Sequence, residues 1–472
     1  MDTTRHTTST SRARIALATT TAVILVGAFI APTASADRET NKPGGGHCAR
    51  IDKVKVPGAE HQEVACLDDL TTAGTGASGH TIPANWAGLN AAGTTNPTGV
   101  PGIQVDGYFP DTSTTNTNHG WNHDSQFVIR IPDNWNGGLV VSGSPGNRAT
   151  YANDFIISDW VLAKGYAFAA TDKGNTGLDF YRGNGTDGEP GGAEREWNSR
   201  VTELTVATQE VVRKVRAKAP KRTYLFGISN GGYLVRWQLE NRPELYDGGL
   251  DWEGTFFRSE GPNLMTYLPT ALKHYPAYAA TGDQAAHDAI IGAGFEPGSE
   301  FLWPFHHAVY WDLTQRIYRE SFDPTWDGET DAGTPYCLSG TPSCDADYDY
   351  ASRPDEVKAA VASVENTGRI GKPLITVQGT LDTLLPISTS GDPYDALIDS
   401  VGHGDLHRYY RITDGTHTDA LYGFFPEQLR PMLPCARTGF DALVAWVETG
   451  AEPPADRTVP RPSGDLLDTC SL

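Results

Sequence analysis

One serine of this sequence stands in a setting that suits a nucleophile. Ser229 lies in the stretch "YLFGISNGGY" (224–233), with glycine two positions before it and two positions after it. This G-x-S-x-G pattern is typical of a strand that turns abruptly into a helix and holds the serine at the apex of the turn. No other serine of the chain has glycine at both positions, so Ser229 is the candidate nucleophile.

A serine hydroxyl also needs a base within hydrogen-bond reach and an acid that orients this base. Asp382 follows the predicted strand 373–378 in "GTLDTLLP", and His417 follows the predicted strand 408–412 in "TDGTHTD". The order serine, acid, histidine, with the last two in loops after the final strands, is that of a hydrolytic triad. The alternatives left open are Asp392, Asp414 and Asp419 for the acid, and His403, His407, His306 and His307 for the base.

A tetrahedral intermediate would need hydrogen-bond donors for its oxyanion. One is expected to be the backbone N–H of Asn230, because it opens the helix that follows the nucleophile. The second is expected from the loop "SGSPG" (142–146), where Ser144 or Gly143 can donate and Pro145 cannot. The alternative is that "SGSPG" is an ordinary turn.

Short apolar runs alternate with helical patterns on both sides of Ser229. Such alternation predicts a mostly parallel, doubly wound sheet covered by helices on both faces, which is an α/β fold. The predicted strands are 126–131, 139–142, 166–171, 224–228, 373–378 and 408–412, and the predicted helices are 198–219, 230–241 and 438–449.

Between these two blocks, 261–368 has a different texture and is expected to form an inserted helical lid over the carboxyl edge of the sheet. The stretch 300–322 is aromatic and helical, and we expect Trp303, Phe305 and Trp311 to shape an acyl or aromatic pocket. The alternative is that these aromatic side chains only pack the interior of the lid. The fold core is expected in two parts, 121–260 and 369–472, with 37–120 packed on it as loops and short strands.

The first 36 residues have the features of a secretory signal peptide. Three arginines precede the apolar run 15–30, and Ala34-Ser35-Ala36 supplies small residues at a cleavage site. The run is shorter than a membrane span requires, so a membrane anchor is the weaker alternative. We therefore expect a secreted, extracellular protein.

Charge and cysteine content agree with export. Removal of 1–36 moves the formal net charge from −21 to −23, and so acidic a chain is not expected to bind nucleic acid or anionic membranes. Six cysteines without metal or redox spacing predict three disulfides in an exported protein. Sequence order favours the pairs Cys48 with Cys66, Cys337 with Cys344 and Cys435 with Cys470, among 15 connectivities.

The motifs around Ser229, Asp382 and His417 resemble those of the α/β-hydrolase superfamily over about 121–450. The export signal, the disulfide-bearing lid and "ATDKGNTG" (170–177) resemble secreted esterases of the tannase and feruloyl esterase kind. Those enzymes join a cysteine before the serine to one beside the histidine, where this chain has Ile228 and Thr418. The Ser-Asn-Gly-Gly elbow is also similar to that of secreted polyester and hydroxyalkanoate hydrolases.

These patterns predict a serine hydrolase that cleaves small-molecule or polymeric carboxylic esters through an acyl-enzyme, without a cofactor. An exopeptidase that binds its substrate amine through Glu253, Glu260 or acidic residues of the lid is one alternative, and a non-catalytic binding protein is another. Oligomeric state stays open.

The acidic stretch with Asp345, Asp347, Asp349 and Glu356 has calcium-loop spacing, but Tyr350 replaces the turn glycine, so we expect no metal there.

Overall fold

Ten strands form one sheet in the computed structural model of the protein, which describes residues 48–178, 180, 185–326 and 345–472. The strands are β1 (His61–Leu67), β2 (Gly102–Tyr108), β3 (Gln126–Pro132), β4 (Gly138–Gly143), β5 (Ala167–Thr171), β6 (Arg222–Ile228), β7 (Gly248–Trp252), β8 (Leu374–Gly379), β9 (His407–Ile412) and β10 (Arg457–Val459). Their order across the sheet is β1-β2-β3-β5-β4-β6-β7-β8-β9-β10.

The direction of the strands divides the sheet into two parts. From β1 to β5 neighbouring strands are antiparallel, and from β5 through β4 to β10 every pair is parallel. Because parallel strands end at the same edge, the loops after β6, β8 and β9 meet on one side of the sheet. A mixed, mostly parallel sheet with this crossover of β4 and β5 is the α/β-hydrolase fold, which confirms the predicted fold class.

Eleven α-helices of the described residues surround this sheet. They are α1 (Thr72–Ser78), α2 (Asp159–Ala163), α3 (Gly192–Arg216), α4 (Asn230–Asn241), α5 (Leu264–Thr281), α6 (Gln284–Gly292), α7 (Trp303–Val309), α8 (Trp311–Phe322), α9 (Asp355–Ala362), α10 (Gly391–Ser400) and α11 (Leu433–Thr449). All described residues belong to one compact unit, 42–472. Within the described residues, every helix is too short or too polar to cross a lipid bilayer.

Both faces of the sheet are buried, as its pattern of side chains requires. On β4, Leu139 and Val141 join the core beneath α3 and α4, whereas Val140 joins the core beneath α2 and α11. Alternate side chains of a strand point to opposite faces, so a run without polar residues predicts burial on both sides. This is why the central strands could be recognised as short, continuous apolar runs.

Helices α5 to α9 lie in the insertion between β7 and β8. Their residues contribute to the same core as α3 and α4, through side chains such as Leu268, Trp311 and Val361. The segment therefore packs directly on the α/β core. The predicted domain bounds stay predictions, and the predicted pair Cys337–Cys344 lies outside the described residues.

The segment before residue 121 contributes more regular structure than expected. Strands β1 and β2 pair with each other over seven residues and extend the sheet through β3. The predicted disulfide Cys48–Cys66 is present and ties the start of the described chain to β1. Cys435–Cys470 is also present and ties α11 to the end of the chain.

Strand β7 was missed by sequence reasoning because it begins with two glycines. A side chain at Gly249 would meet Val235 at 2.5 Å, so glycine here lets α4 pack directly on the strand. The helix predicted over 198–219 is α3, which begins six residues earlier at Gly192. It ends before Ala217, whose φ of 54° is left-handed.

Several carboxyl groups are buried, and burial raises their pKa values. Glu194 on α3 is fully buried, accepts one hydrogen bond from the Ser321 hydroxyl at 2.6 Å, and has a pKa of about 7. Burial likewise raises the pKa values of Asp159, Asp312 and Asp419 to about 7. In the folded state these groups hold protons at pH values where an unfolded chain releases them.

We expect the protein to lose stability as the pH rises from about 4.5 to 7. In this window the unfolded chain binds fewer protons than the folded one, so the free energy of unfolding falls with pH. For Glu194 alone the change is on the order of 3 kcal/mol. Denaturant titrations at several pH values should give a shallower fall for Glu194→Gln than for the unchanged protein. The exposed Glu189→Gln is the control, and an equal slope in both variants would contradict this role of Glu194.

Candidate active site

Ser229 occupies a sharp turn between β6 and α4. Its φ of 58° and ψ of −122° are strained for a residue with a side chain. A Cβ at Gly227 would lie 2.2 Å from the carbonyl oxygen of Gly231, and one at Gly231 would lie 2.6 Å from that of Gly143. The glycines around the serine are therefore required because backbone segments meet there without space for side chains.

His417 and Asp382 lie in line with Ser229 at the carboxyl edge of the sheet. His417 Nε2 is 3.1 Å from Ser229 Oγ, and His417 Nδ1 is 2.7 Å from Asp382 Oδ2. Asp382 Oδ1 accepts the backbone N–H groups of Leu384 and Leu385, both at 2.8 Å. Because this carboxylate only accepts hydrogen bonds, Nδ1 carries the imidazole proton and Nε2 is left to accept the serine proton.

The alternative candidates for base and acid have other partners. His407 contacts Asp395 at 3.1 Å and Thr376 at 3.0 Å, away from the serine. Asp419 accepts the backbone N–H groups of Met432 and Leu433. The structure thus brings together Ser229, His417 and Asp382, while their catalytic roles stay predictions.

A second carboxyl group lies beside this arrangement. Glu253 follows β7, has a φ of 49°, and is fully buried. Its carboxyl oxygens accept the Gly379 N–H at 2.8 Å and the Trp252 indole N–H at 3.1 Å. Glu253, Asp382 and His417 each place one polar atom within 4.8 Å of the others. Burial, and then the neighbouring Asp382, raise the pKa of Glu253 well above its usual value, which favours its neutral form.

The prediction of Ser144 or Gly143 as an oxyanion donor is wrong. The Ser144 N–H donates to the Thr171 carbonyl at 3.0 Å, and its hydroxyl donates to the Arg148 carbonyl at 2.8 Å. Gly143 is the last residue of β4, and neither residue lines the cavity around Ser229. The loop residues after β4 that line the cavity begin at Pro145.

Gly146 and Asn147, further along this loop, line the cavity beside Ser229 and Asn230. The Gly146 carbonyl accepts hydrogen bonds from Lys173 Nζ at 3.0 Å and from Asn230 Nδ2 at 3.2 Å. In a trans peptide the carbonyl and the following N–H point in opposite directions. The Asn147 N–H is therefore directed away from the buried Lys173 and is the better candidate for the second donor.

Lys173 is a functional candidate that the sequence reasoning missed, although it lies in the quoted "ATDKGNTG". It is fully buried, with a φ of 73°, and its ammonium also donates to Ser144 Oγ at 2.9 Å. The Trp197 ring centroid lies 5.1 Å from this ammonium. Burial lowers the pKa of Lys173. Lys173 is the only basic residue in the stretch 170–177, and this is the feature by which the sequence could have indicated it.

A cavity of about 140 Å³ opens beside Ser229 and His417. An engineered cavity of about 150 Å³ in another protein accommodates benzene, so this space suits a group of that size. The insertion between β7 and β8 covers it with Tyr310, Leu313, Thr314, Ile317 and Tyr318. No carboxylate is among the described residues that line it.

The prediction that Trp303, Phe305 and Trp311 shape this cavity is wrong. Trp303 and Trp311 are fully buried, and their indole N–H groups donate to Ser299 Oγ at 3.0 Å and to the Thr383 carbonyl at 2.7 Å. Phe305 packs in a small apolar cluster with Leu302 and Leu421. None of the three lines the cavity, where Leu313, Thr314, Ile317 and Tyr318 represent α8 instead. They pack in the interior, and Phe305 and Trp311 contact residues after β8 as well as the insertion.

The calcium-loop spacing also does not produce a cluster of ligands. Asp345 pairs with Arg319 at 2.8 Å, and Asp349 accepts the Ala351 N–H at 3.2 Å. In the described part of the chain, the one grouping with metal-ligand geometry is Glu253, Asp382 and His417. His417 there contacts the serine, so this grouping belongs to the hydrogen-bonded chain described above.

Geometry and fold together define an α/β-hydrolase-fold protein with a serine, a histidine and an aspartate in hydrogen-bond contact. The sequence profile of the 3HB-oligomer hydrolase family (3HBOH) matches residues 336–468, which include Asp382 and His417. The D-(-)-3-hydroxybutyrate oligomer hydrolase of Polaromonas naphthalenivorans (strain CJ2) is 38% identical over 98 residues, covering 19% of this chain and 14% of that protein. That of Paracidovorax citrulli (strain AAC00-1) is 30% identical over 149 residues, or 29% of this chain and 20% of that protein. The matches thus span a small part of these relatives' length.

Solved structures with a similar fold include two fungal enzymes. Feruloyl esterase B from Aspergillus oryzae is 13% identical with a TM-score of 0.49, and the alignment covers 85% of this chain and 90% of that one. Tannin acyl hydrolase from Aspergillus niger is 14% identical with a TM-score of 0.47, over 85% of this chain and 86% of that one.

Proposed function

We propose that this protein is a secreted serine hydrolase that cleaves carboxylic esters through an acyl-enzyme. The observation that carries the proposal is the continuous hydrogen-bonded chain from Ser229 through His417 to Asp382, at the wall of a small cavity. A nucleophile, a base and an orienting acid in this geometry are the requirement for acyl transfer.

In the acylation step, Ser229 Oγ attacks the ester carbonyl carbon while His417 Nε2 takes the hydroxyl proton. The carbonyl oxygen becomes an oxyanion that accepts hydrogen bonds from the N–H groups of Asn230 and Asn147. When the tetrahedral intermediate collapses, the bond to the alcohol oxygen breaks. His417 gives its proton to this oxygen, and the alcohol leaves.

In the deacylation step, a water molecule attacks the acyl carbon, and His417 Nε2 takes one of its protons. Collapse of the second intermediate breaks the bond to Ser229 Oγ, which regains the proton, and a carboxylic acid is released. Asp382 stabilises the imidazolium in both steps without taking its proton. The described residues that line the cavity supply each of these groups except Asp382, which lies behind the histidine.

Short hydroxyalkanoate oligomers are the proposed ester class. The 3HB-oligomer hydrolase profile covers the segment that carries the proposed acid and base, which supports this choice. A cavity of about 140 Å³ favours a short aliphatic acyl group over a larger aromatic one.

The other functions considered have less support. An exopeptidase would need an acid to bind the substrate amine, but Glu253 is fully buried behind Asp382, and Glu260 lines a separate depression near Lys273. Secretion stays part of the proposal, supported by two disulfides and by the amino-terminal pattern, which lies outside the described residues.

A panel of substrates tests the proposal. Nitrophenyl esters of short acids, hydroxybutyrate oligomers, feruloyl and galloyl esters, and aminoacyl amides should be compared with the purified protein. We expect hydrolysis of the short esters and oligomers, with release of one acid per bond cleaved. Faster hydrolysis of the amides would favour the exopeptidase, and no turnover of any ester would overturn the proposal.

The hydrogen bond from Lys173 to the loop after β4 leads to a separate prediction. Lys173→Met keeps the aliphatic stem but removes the ammonium that holds the Gly146 carbonyl. We expect kcat to fall about 10-fold to 100-fold with little change in KM, because a lost oxyanion donor costs about 10²-fold to 10³-fold and a displaced one costs less. Affinity for a trifluoromethyl ketone inhibitor should fall in parallel.

Lys164→Met, which removes an exposed lysine paired with Asp441, is the matched control. An unchanged kcat in Lys173→Met, with the protein still folded, would show that Lys173 does not position the loop.

A further inference from the structure

A guanidinium group lies in the cavity beside Ser229 without an acidic partner. Arg148 lines this cavity and follows the loop that carries Asn147. Its Nη1 donates to the carbonyl oxygens of Asn85 at 3.0 Å and Ala87 at 2.9 Å. Among the described residues, no carboxylate forms an ion pair with it, and Tyr310 is the one titratable group that acts on it.

Arg148 is partly buried and has no carboxylate partner among the described residues, although the chain is rich in acidic residues. The sequence holds 58 acidic residues against 37 lysines and arginines. Two fully buried arginines are paired, with Arg130 at 2.6 Å from Asp154 and Arg236 at 2.7 Å from Asp251. Removing a charge from water without a counterion is unfavourable. Burial accordingly lowers the pKa of Arg148, but a guanidinium still remains charged at neutral pH.

The position of the Arg148 guanidinium limits which anions can neutralise its charge. Two backbone carbonyls accept hydrogen bonds from Nη1, and the side chain lines the same cavity as Ser229 and His417. Planar guanidinium groups bind carboxylates through paired hydrogen bonds. A small cavity requires such an anion to lie only a few bonds from the ester that the serine would attack.

We propose that Arg148 binds a free carboxylate of the ester substrate, so that the enzyme acts on esters of hydroxy acids at their free-acid end. This inference rests on the proposed ester hydrolysis. It adds that an oligomer is shortened from its carboxyl terminus, one unit at a time, and that bonds in the interior of a long chain are poor substrates. Neutral esters lack the group that the guanidinium binds.

Two substrates with the same scissile bond test the inference. 3-Acetoxybutyrate and 3-acetoxybutyramide have nearly the same shape and release the same acetate, but only the first carries a carboxylate. We expect kcat/KM of the unchanged protein to be at least about 30-fold higher for the acid, mainly through KM, which corresponds to a charge-assisted hydrogen bond. In Arg148→Met the ratio should fall below about 3, while hydrolysis of the amide continues and shows that the protein is folded.

Arg148→Lys keeps the charge without the planar pair of donors and should retain part of the preference. Arg213→Met, on the exposed side of α3, is the control and should leave the ratio unchanged. Equal rates on the two substrates, or a preference that survives in both Arg148 variants, would overturn the inference while leaving ester hydrolysis intact. No hydrolysis of either substrate, together with no turnover of nitrophenyl esters, would instead refute the proposed function.

Discussion

Replacing Ser229 with alanine is expected to lower kcat for a nitrophenyl ester by on the order of 10⁶-fold. In the proposed mechanism the hydroxyl is the attacking group, and its one side-chain hydrogen bond among the described residues is with His417 Nε2. Alanine keeps the Cβ that the turn already accommodates at a φ of 58°. The melting temperature should therefore change little, so that lost activity reports on chemistry.

Covalent labelling provides the check on this result. A fluorophosphonate should react once per molecule of the unchanged protein and should not react with Ser229→Ala. Peptide mass mapping should place the label within 224–233. Turnover that persists in Ser229→Ala, or a label found on another residue, would exclude Ser229 as the nucleophile.

The second large effect is expected for Asp382→Asn, which should lower kcat by about 10⁴-fold. Oδ1 of Asp382 accepts two backbone N–H groups, so the asparagine oxygen must keep that position. Its amide NH₂ would then face His417 Nδ1 and donate to it. The imidazole proton would have to move to Nε2, which could no longer accept the proton of Ser229.

Glu253→Gln is the matched control for Asp382→Asn. Since burial favours the neutral form of the Glu253 carboxyl, a neutral amide should keep kcat/KM within about 5-fold. The new amide could keep the hydrogen bond from the Gly379 N–H and lose that from the Trp252 indole, at a cost of about 1 kcal/mol in stability. Stopped-flow and steady-state rates at several pH values would measure both variants. A loss in Glu253→Gln as large as that in Asp382→Asn would show that Glu253 is charged and takes part.

The central part of the fold could be predicted because its strands carry an unambiguous signal. The runs around Val140 and Phe226 are apolar on both faces, and each is followed by a helical pattern. β7 could not be found in this way, since Gly248 and Gly249 are needed for close packing and carry no hydrophobic signal. β1 and β2 were missed as sheet strands because their pairing partners are distant or follow an irregular loop.

The arrangement of Ser229, Asp382 and His417 could be predicted because each follows a recognisable strand, and strand topology brings these loops together. The oxyanion donor could not be predicted, because it depends on which N–H groups of the loop after β4 have no partner. The Ser144 N–H, for example, donates to the Thr171 carbonyl. The prediction of the residues that line the cavity was wrong for a related reason. An aromatic segment predicts a helix, but not whether Trp311 or Tyr318 faces the serine.

Ser229 and His417 are separated by 188 residues, and they follow β6 and β9, which have β7 and β8 between them in the sheet. The ribosome synthesises a protein from its amino terminus, and early segments fold first. A nascent polypeptide that has not yet reached β9 lacks His417, the proposed base. Under the proposed mechanism, premature termination before that point would yield a fragment unable to cleave esters in the cell that makes it.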